Sequence, residues 1–161
     1  MGAGQESGEE RLEAGLQRAL AYLARRDRTE AQVRRRLEAD GIDSHVVPGV
    51  LERLQDLGYV DDERFARTYA EDRRTLDGWG SERIARGLSE AGVHPDLVAS
   101  MLETRPRDEE LAGALEVLDR RLVEAPSDDR EREKALGLLV RRGYELDLAY
   151  DAVRAFERRA A

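Results

Sequence analysis

Val33-Arg34-Arg35-Arg36-Leu37-Glu38-Ala39-Asp40-Gly41-Ile42 is the stretch from which the fold is read. Its pattern returns at Ile84 to Val93 and again at Ala135 to Tyr144, so Gly41, Gly92 and Gly143 stand at a constant spacing of 51 residues. Four positions before the glycines are Leu37, Leu88 and Leu139, and eight before are Val33, Ile84 and Ala135. One position after are Ile42, Val93 and Tyr144; five after, Val46, Leu97 and Leu148; ten after, Leu51, Leu102 and Val153. Every one of these columns is apolar in all three copies. A fixed period of this length marks a repeat architecture in which each copy is one supersecondary unit.

The local chemistry of each copy predicts helices. Val33 and Leu37 are four apart and share one helix face. Gly41 then ends that helix where a left-handed residue is cheapest. Asp43 is placed to cap a following helix carrying Val46, Val50, Leu51 and Leu54. In the second copy His94-Pro95 starts the equivalent helix, with proline at the favoured first position. Thr29-Glu30-Ala31-Gln32 fits a capping box for the helix before Gly41. Ser81 is the expected cap in the second copy, and Ala125 to Asp129 is the break in the third. Pro48-Gly49 removes a helical donor and adds backbone freedom, so that helix is expected to start late or bend.

A further helix precedes each pair. Its expected faces are Leu16, Leu20 and Leu23; Phe65, Tyr69 and Leu76; and Leu111, Leu115, Leu118 and Leu122. The expected fold is therefore all-α: three tandem three-helix repeats, stacked as an elongated and curved solenoid. The expected organisation is a disordered N-terminal tail over 1–12 and repeats over 13–58, 59–106 and 107–161.

Composition narrows the function. The chain has 161 residues, 27 basic and 35 acidic, for a net charge of −8; all the basic residues but Lys134 are arginine. By segment, 1–15 is −3, 16–58 is +1, and both 59–106 and 107–161 are −3. A protein that wraps phosphates broadly is basic over the domain, so nucleic-acid contact is expected to be weak or indirect. There is no cysteine, and His45 and His94 are the only histidines, which removes thiolate chemistry and histidine clusters. His94 reads as a helix-start residue and His45 as a surface residue. No apolar run approaches a membrane span, and Met1 to Glu10 lacks the features of a signal peptide, so a cytoplasmic protein with no membrane partner is expected. No Ser-His-Asp set or glycine-rich phosphate loop is present, and the reading is a non-enzyme with no cofactor and no metal.

Gly58-Tyr59-Val60-Asp61-Asp62-Glu63-Arg64-Phe65-Ala66 joins the first copy to the second. With Ala21 to Glu30 and Val33 to Leu37 upstream, Gly80 to Leu88 downstream and Leu139 to Tyr144 near the end, it resembles the RecX family of bacterial recombination regulators. The resemblance covers residues 13–159. It implies a monomeric modulator of DNA repair, homologous recombination and the SOS response. Such a protein lies in the groove of the RecA filament on single-stranded DNA and restrains ATP hydrolysis, strand exchange and co-protease activity. Gly87 departs from the usual pattern, standing where a longer side chain is the better helix former.

Candidate residues follow from both readings. Arg25, Arg26, Arg28, Arg34, Arg35 and Arg36 are the densest basic region. They form either a solvated face paired with Glu30, Glu38 and Asp40 or a contact surface, and the resemblance favours contact for some of them. Arg73 and Arg74, Arg120 and Arg121, and Arg141 and Arg142 are similar pairs. Trp79, between two glycines, either packs on its own helices or serves as a partner hot spot. Gly58, Tyr59, Asp61, Asp62, Phe65 and Ala66 are expected to be structural, with Asp61 capping a helix and Tyr59 and Phe65 in the core. Two rivals remain: a helix-turn-helix DNA reader over 30–57, and a helical scaffold for other partners. The first needs a basic recognition helix, yet Ser44 to Leu57 carries one Arg, one Glu and one Asp.

Overall fold

A computed structural model describes residues 7–161. Among them the chain runs as nine helices and no strand: α1 (Gly8–Leu23), α2 (Glu30–Ala39), α3 (Val47–Asp56), α4 (Asp62–Asp77), α5 (Ser81–Glu90), α6 (Pro95–Glu103), α7 (Arg107–Arg121), α8 (Asp129–Arg141) and α9 (Leu146–Ala160). They form three helix triplets in tandem. The lead-in expected over 1–12 is corrected in part, because α1 already begins at Gly8. Ser7 and Glu10 satisfy each other's backbone N–H there in a capping box, at 3.2 and 2.7 Å. Residues 1–6 lie outside the described residues.

The chain divides into two compact units. One holds the described residues up to Phe65 together with Ala91–Val93; the other holds Ala66–Glu90 and His94–Ala161.

In the first unit, Ala19, Val33, Leu37, Val47, Val50, Leu51, Leu54 and Val60 are buried together. Leu12, Leu16, Leu20 and Leu23 pack against them from α1. Small residues let α1 approach α3: a Cβ on Gly15 would lie 2.7 Å from Val50 Cγ2. α2 ends at a Schellman corner, with Gly41 at φ +80° and Ile42 N–H donating to Leu37 O at 3.0 Å. Asp43 does not cap α3. Its carboxylate accepts the His45 N–H at 2.9 Å, and α3 starts late at Val47, with Pro48 in a first turn that needs no donor from it. Gly58, at φ +77°, ends α3 in the same way as Gly41, with Tyr59 N–H donating to Leu54 O.

In the second unit, α7, α8 and α9 bury Ala114, Val117, Leu118, Ala135, Leu139, Tyr144, Leu148, Ala149, Ala152 and Val153. α5 contributes Ile84 and Leu88 as buried residues, and α6 contributes Val98. The face expected on α4 is corrected: Ala66 and Ala70 are buried, whereas Leu76 is 71% exposed. His94 caps α6, its Nδ1 accepting the Asp96 N–H at 3.2 Å. Ser81 is not a cap. It is the first residue of α5, and the Gly80 carbonyl accepts the Ile84 N–H.

One device appears in both units. Thr29 and Gly80 are one period apart, as are Ala91 and Arg142. Thr29, fully buried, accepts the Gln32 N–H on its hydroxyl oxygen at 3.1 Å and donates to Ala91 O at 2.6 Å. At the matching place Gly80 N–H donates to Arg142 O at 2.8 Å, and Glu82 N–H to Gly143 O at 3.0 Å. The start of a second helix thus sits on the glycine corner of the repeat that follows. An acid from that repeat's first helix completes the seat: Asp62 accepts Glu30 N–H at 2.9 Å, and Glu110 accepts Ser81 N–H at 2.7 Å. Glycine is required at the occupied corners. A Cβ on Gly92 would overlap the Ala31 Cβ, and one on Gly143 would lie 2.5 Å from the Arg83 nitrogen.

Candidate partner-binding surfaces

Asp61, Asp62 and Glu63 do not act as one cluster. Asp61 caps α4, its carboxylate accepting Arg64 N–H at 2.9 Å. Asp62 turns to α2 as described; burial is the main cause raising its pKa above the usual carboxylate value, and the Glu30 N–H opposes the rise. Arg64 reaches back to Gly58 O at 3.0 Å. Tyr59 was expected in the core and is corrected. It is 51% exposed, and Val60 takes the buried place instead. Ala66 is buried and Phe65 half-buried.

The arginines separate by environment. In the first unit, Arg28 stacks its guanidinium 4.3 Å from the Tyr22 ring centroid and Arg36 lies 5.4 Å from the same ring. Arg36 also pairs with Asp40, and Arg34 with Glu30, each at 3.0 Å. Exposed i,i+4 pairs of this kind add only a few tenths of a kcal/mol (~0.3–0.5). Arg25 and Arg26, in the connection between α1 and α2, and Arg35 on α2 are exposed and form no ion pair among the described residues.

In the second unit, Trp79 packs on its own helices. Its ring meets Tyr69 edge-on at 6.5 Å, with Arg73 at 5.6 Å and Arg83 at 4.1 Å from its centroid. Arg73 also pairs with Asp77 at 2.6 Å. Tyr22 and Arg73 are one period apart, as are Arg28 and Trp79. The same cation–π contact therefore recurs with its partners exchanged. Gly87 occupies the position of Arg36 one period on. A Cβ there would overlap the Tyr69 hydroxyl and come within 2.8 Å of Cζ, which accounts for a glycine inside α5.

Arg142 and Arg74 face inward. The Arg142 guanidinium donates to Asp77 O, and the buried Tyr144 hydroxyl donates to Gly78 O at 3.2 Å, so both hold the 77–80 loop. Arg74 is half-buried, with Nε and Nη2 unbonded. Burial, then the neighbouring Arg105, lowers its pKa. It lines a cavity of about 410 Å³ with Arg105, Glu109, Glu116, Arg120 and Tyr144. Arg105 pairs with Glu110 at 2.7 Å. Arg141 is exposed. Arg25, Arg26, Arg35, Arg36 and Arg141 therefore present the most accessible cations of the expected set, while Arg74 and Arg142 serve the fold around them.

Residues 16–54 match the family model for the first three-helix domain of RecX, and residues 61–102 match that for the second. The regulatory protein RecX of Xanthomonas campestris pv. campestris is 35% identical over 131 residues, covering 81% of this chain and 80% of that protein. The chain belongs to the RecX family. The regulatory protein RecX of Deinococcus radiodurans is likewise 35% identical over 146 residues, spanning 91% of this chain and 70% of its own length. In fold, the chain is similar to the crystal structure of RecX from Lactobacillus salivarius, with a TM-score of 0.82 at 18% identity, covering 93% of this chain and 99% of that one. The two matched RecX domains coincide with the triplets α1–α3 and α4–α6. The GYVDD junction thus lies where one RecX domain gives way to the next, and its Asp62 is the acid that seats α2.

Sequence reasoning did not find the Arg74, Arg105 and Glu110 group. Its members lie on α4, in the connection between α6 and α7 and on α7, and share no repeat column. The 51-residue register does carry the signal for the exchanged cation–π pair, once aromatic and cationic positions are compared as partners.

Proposed function

We propose that this RecX-family chain is a mainly negative regulator of the RecA recombinase. It binds in the groove of the RecA filament on single-stranded DNA and restrains ATP hydrolysis, strand exchange and co-protease activity. Membership of a family of regulatory proteins is the observation that carries the reading. The arginine surface supports it. Arg25, Arg26 and Arg35 are exposed cations without an intramolecular counter-ion among the described residues, and guanidinium groups suit carboxylates on a protein partner. A net charge of −8 makes protein contact a better use of them than broad contact with DNA. By bridging neighbouring subunits, the chain holds them in one arrangement and biases a motion that ATP turnover requires. The protein acts without chemistry of its own, in the cytoplasm, as a monomer.

The test is co-sedimentation with RecA filaments on single-stranded DNA, for the parent chain and for Arg25→Glu/Arg26→Glu/Arg35→Glu. The parent pellets with the filament and the triple variant, folded by circular dichroism, stays in the supernatant. A parent chain that never pellets ends the proposal; a triple variant that pellets equally moves the contact away from this surface.

A further inference from the structure

The corner that ends α3 leaves two large side chains outside. Leu57 is 57% exposed and Tyr59 is 51% exposed, one on each side of Gly58. The fold uses neither side chain. Val60 fills the buried place beside them, and the corner itself is closed by backbone, with Tyr59 N–H donating to Leu54 O at 2.8 Å. Among the described residues, no hydrogen bond or ring contact holds the Tyr59 side chain. The repeat does not ask for an apolar pair here either, since Asp108 and Glu110 stand one period on. Neighbouring large apolar side chains left in water, with polar residues around them, mark an interaction surface.

Cations adjoin this corner. Arg64 reaches both the corner and the connection between α1 and α2: its Nη1 donates to Gly58 O at 3.0 Å, and its Nε lies 3.7 Å from an Asp27 carboxylate oxygen. Gln55 makes a second link, its Nε2 donating to Glu30 Oε2 at 3.0 Å. The connection and the corner therefore lie side by side within the first compact unit. Arg25 and Arg26, in that connection, are exposed and form no ion pair among the described residues. Building on the reading just proposed, we infer that Leu57 and Tyr59, with Arg25 and Arg26, are the docking site for a segment of the RecA subunit that carries an apolar side chain and a neighbouring carboxylate.

The surface sets the chemistry of its occupant. An apolar side chain laid on Leu57 and the Tyr59 ring removes all three from water. The guanidinium groups of Arg25 and Arg26 take a carboxylate through charge-assisted bonds. Local acids do not compete for them, because Asp27 faces Arg64 and Glu30 faces Arg34 and Gln55. Two further acids argue against a nucleic-acid occupant. Asp56 and Asp61 flank the apolar pair in sequence and are both exposed. A nucleic-acid strand, charged at every step, would bring phosphates against them. A protein segment places its one acid at the arginine end and its apolar side chain at the other. Tyrosine and arginine are also the residue types that dominate protein hot spots.

Two variants of the full chain test the site. Leu57→Ser/Tyr59→Ser removes the apolar half at positions whose side chains the fold does not use. It is expected to weaken binding to RecA filaments on single-stranded DNA by roughly tenfold or more, the loss typical of a removed hot spot, with helical content unchanged. Asp56→Cys, on the exposed end of α3, supplies the chain's single thiol for a photo-cross-linker. Cross-links to a RecA segment with an apolar residue and an acid within one helical turn support the site, even if the serine variant folds poorly. A folded serine variant that binds as tightly as the parent overturns it. So do cross-links to a second copy of the chain, to DNA, or to a part of RecA without such an acid. A parent chain that fails to bind RecA filaments at all instead refutes the functional reading on which the site rests.

Discussion

Thr29→Val removes one hydroxyl from a side chain that is fully buried and keeps its shape. That oxygen has two roles in the folded chain: it accepts the Gln32 N–H and donates to Ala91 O. Valine therefore deletes the N-cap of α2, worth about 1 kcal/mol, and leaves Ala91 O buried without its donor, at about 1–3 kcal/mol. The combined loss is about 2–4 kcal/mol, a large share of the ~5–15 kcal/mol that holds a typical domain. With a urea dependence of ~2 kcal/mol per molar, the middle of the usual range, the midpoint should fall by roughly 1–2 M. Thr29→Ser keeps both bonds and should stay close to the parent, which separates the hydroxyl from the methyl. Urea unfolding followed by circular dichroism reads the three proteins side by side. The loss should be concentrated in the unit that contains Ala91–Val93, because Thr29 is the bond that holds this corner there. A Thr29→Val midpoint within error of Thr29→Ser would refute the claim that the hydroxyl bridges helix and corner.

Gly87→Ala gains about 1 kcal/mol of helix propensity but drives a methyl into the Tyr69 hydroxyl, so it should destabilise by about 1 kcal/mol net in thermal unfolding; adding Tyr69→Phe should recover part of the loss. Asp62→Asn keeps the acceptor for Glu30 N–H and removes a desolvated charge. The folded carboxyl of Asp62 holds its proton above 3.8, where the unfolded one releases it, so its ionisation costs stability as pH rises through that window. The stability gap should therefore widen in favour of D62N from pH 3.8 upward, read by denaturant titration at several pH values. Burial pushes the Tyr144 phenol up to about 12. The folded state keeps that proton while the unfolded state loses it near pH 10, so stability is lost as pH rises from 10 toward 12. Tyr144→Phe should flatten this alkaline loss, and the phenolate absorbance of the parent should gain its last buried tyrosine only on unfolding.

Much of this fold is written locally. The glycine corners, the Thr29 capping box and the His94-Pro95 start each depend on residues within one turn of one another, and the repeat supplies three readings of the same signal. The errors have a common physical cause. Periodicity favours large apolar residues, so Tyr59 and Leu76 are expected inside, whereas the buried places go to Val60, Ala66 and Ala70. Ser81 looked like a cap because its hydroxyl suits that role, but Gly80 is needed at the cap position so that the backbone can touch Gly143. The candidate surface was legible as a list of arginines and not as an arrangement. Nothing near Arg74 or Arg142 in sequence shows that they turn inward, since Arg142 answers to Asp77 and Arg74 lies beside Arg105, on other helices or loops. Asp62 read correctly as an acid at a helix start, while its partner Glu30 was set by the fold alone.

Whether the chain restrains RecA is best decided by the rate of ATP hydrolysis by the cognate RecA on single-stranded DNA, measured with the chain present at well below one molecule per RecA subunit. A chain that bridges subunits in the filament groove should lower the rate at these ratios, each molecule silencing several subunits. An unchanged rate, with no co-sedimentation at any ratio, would contradict regulation of RecA by this protein.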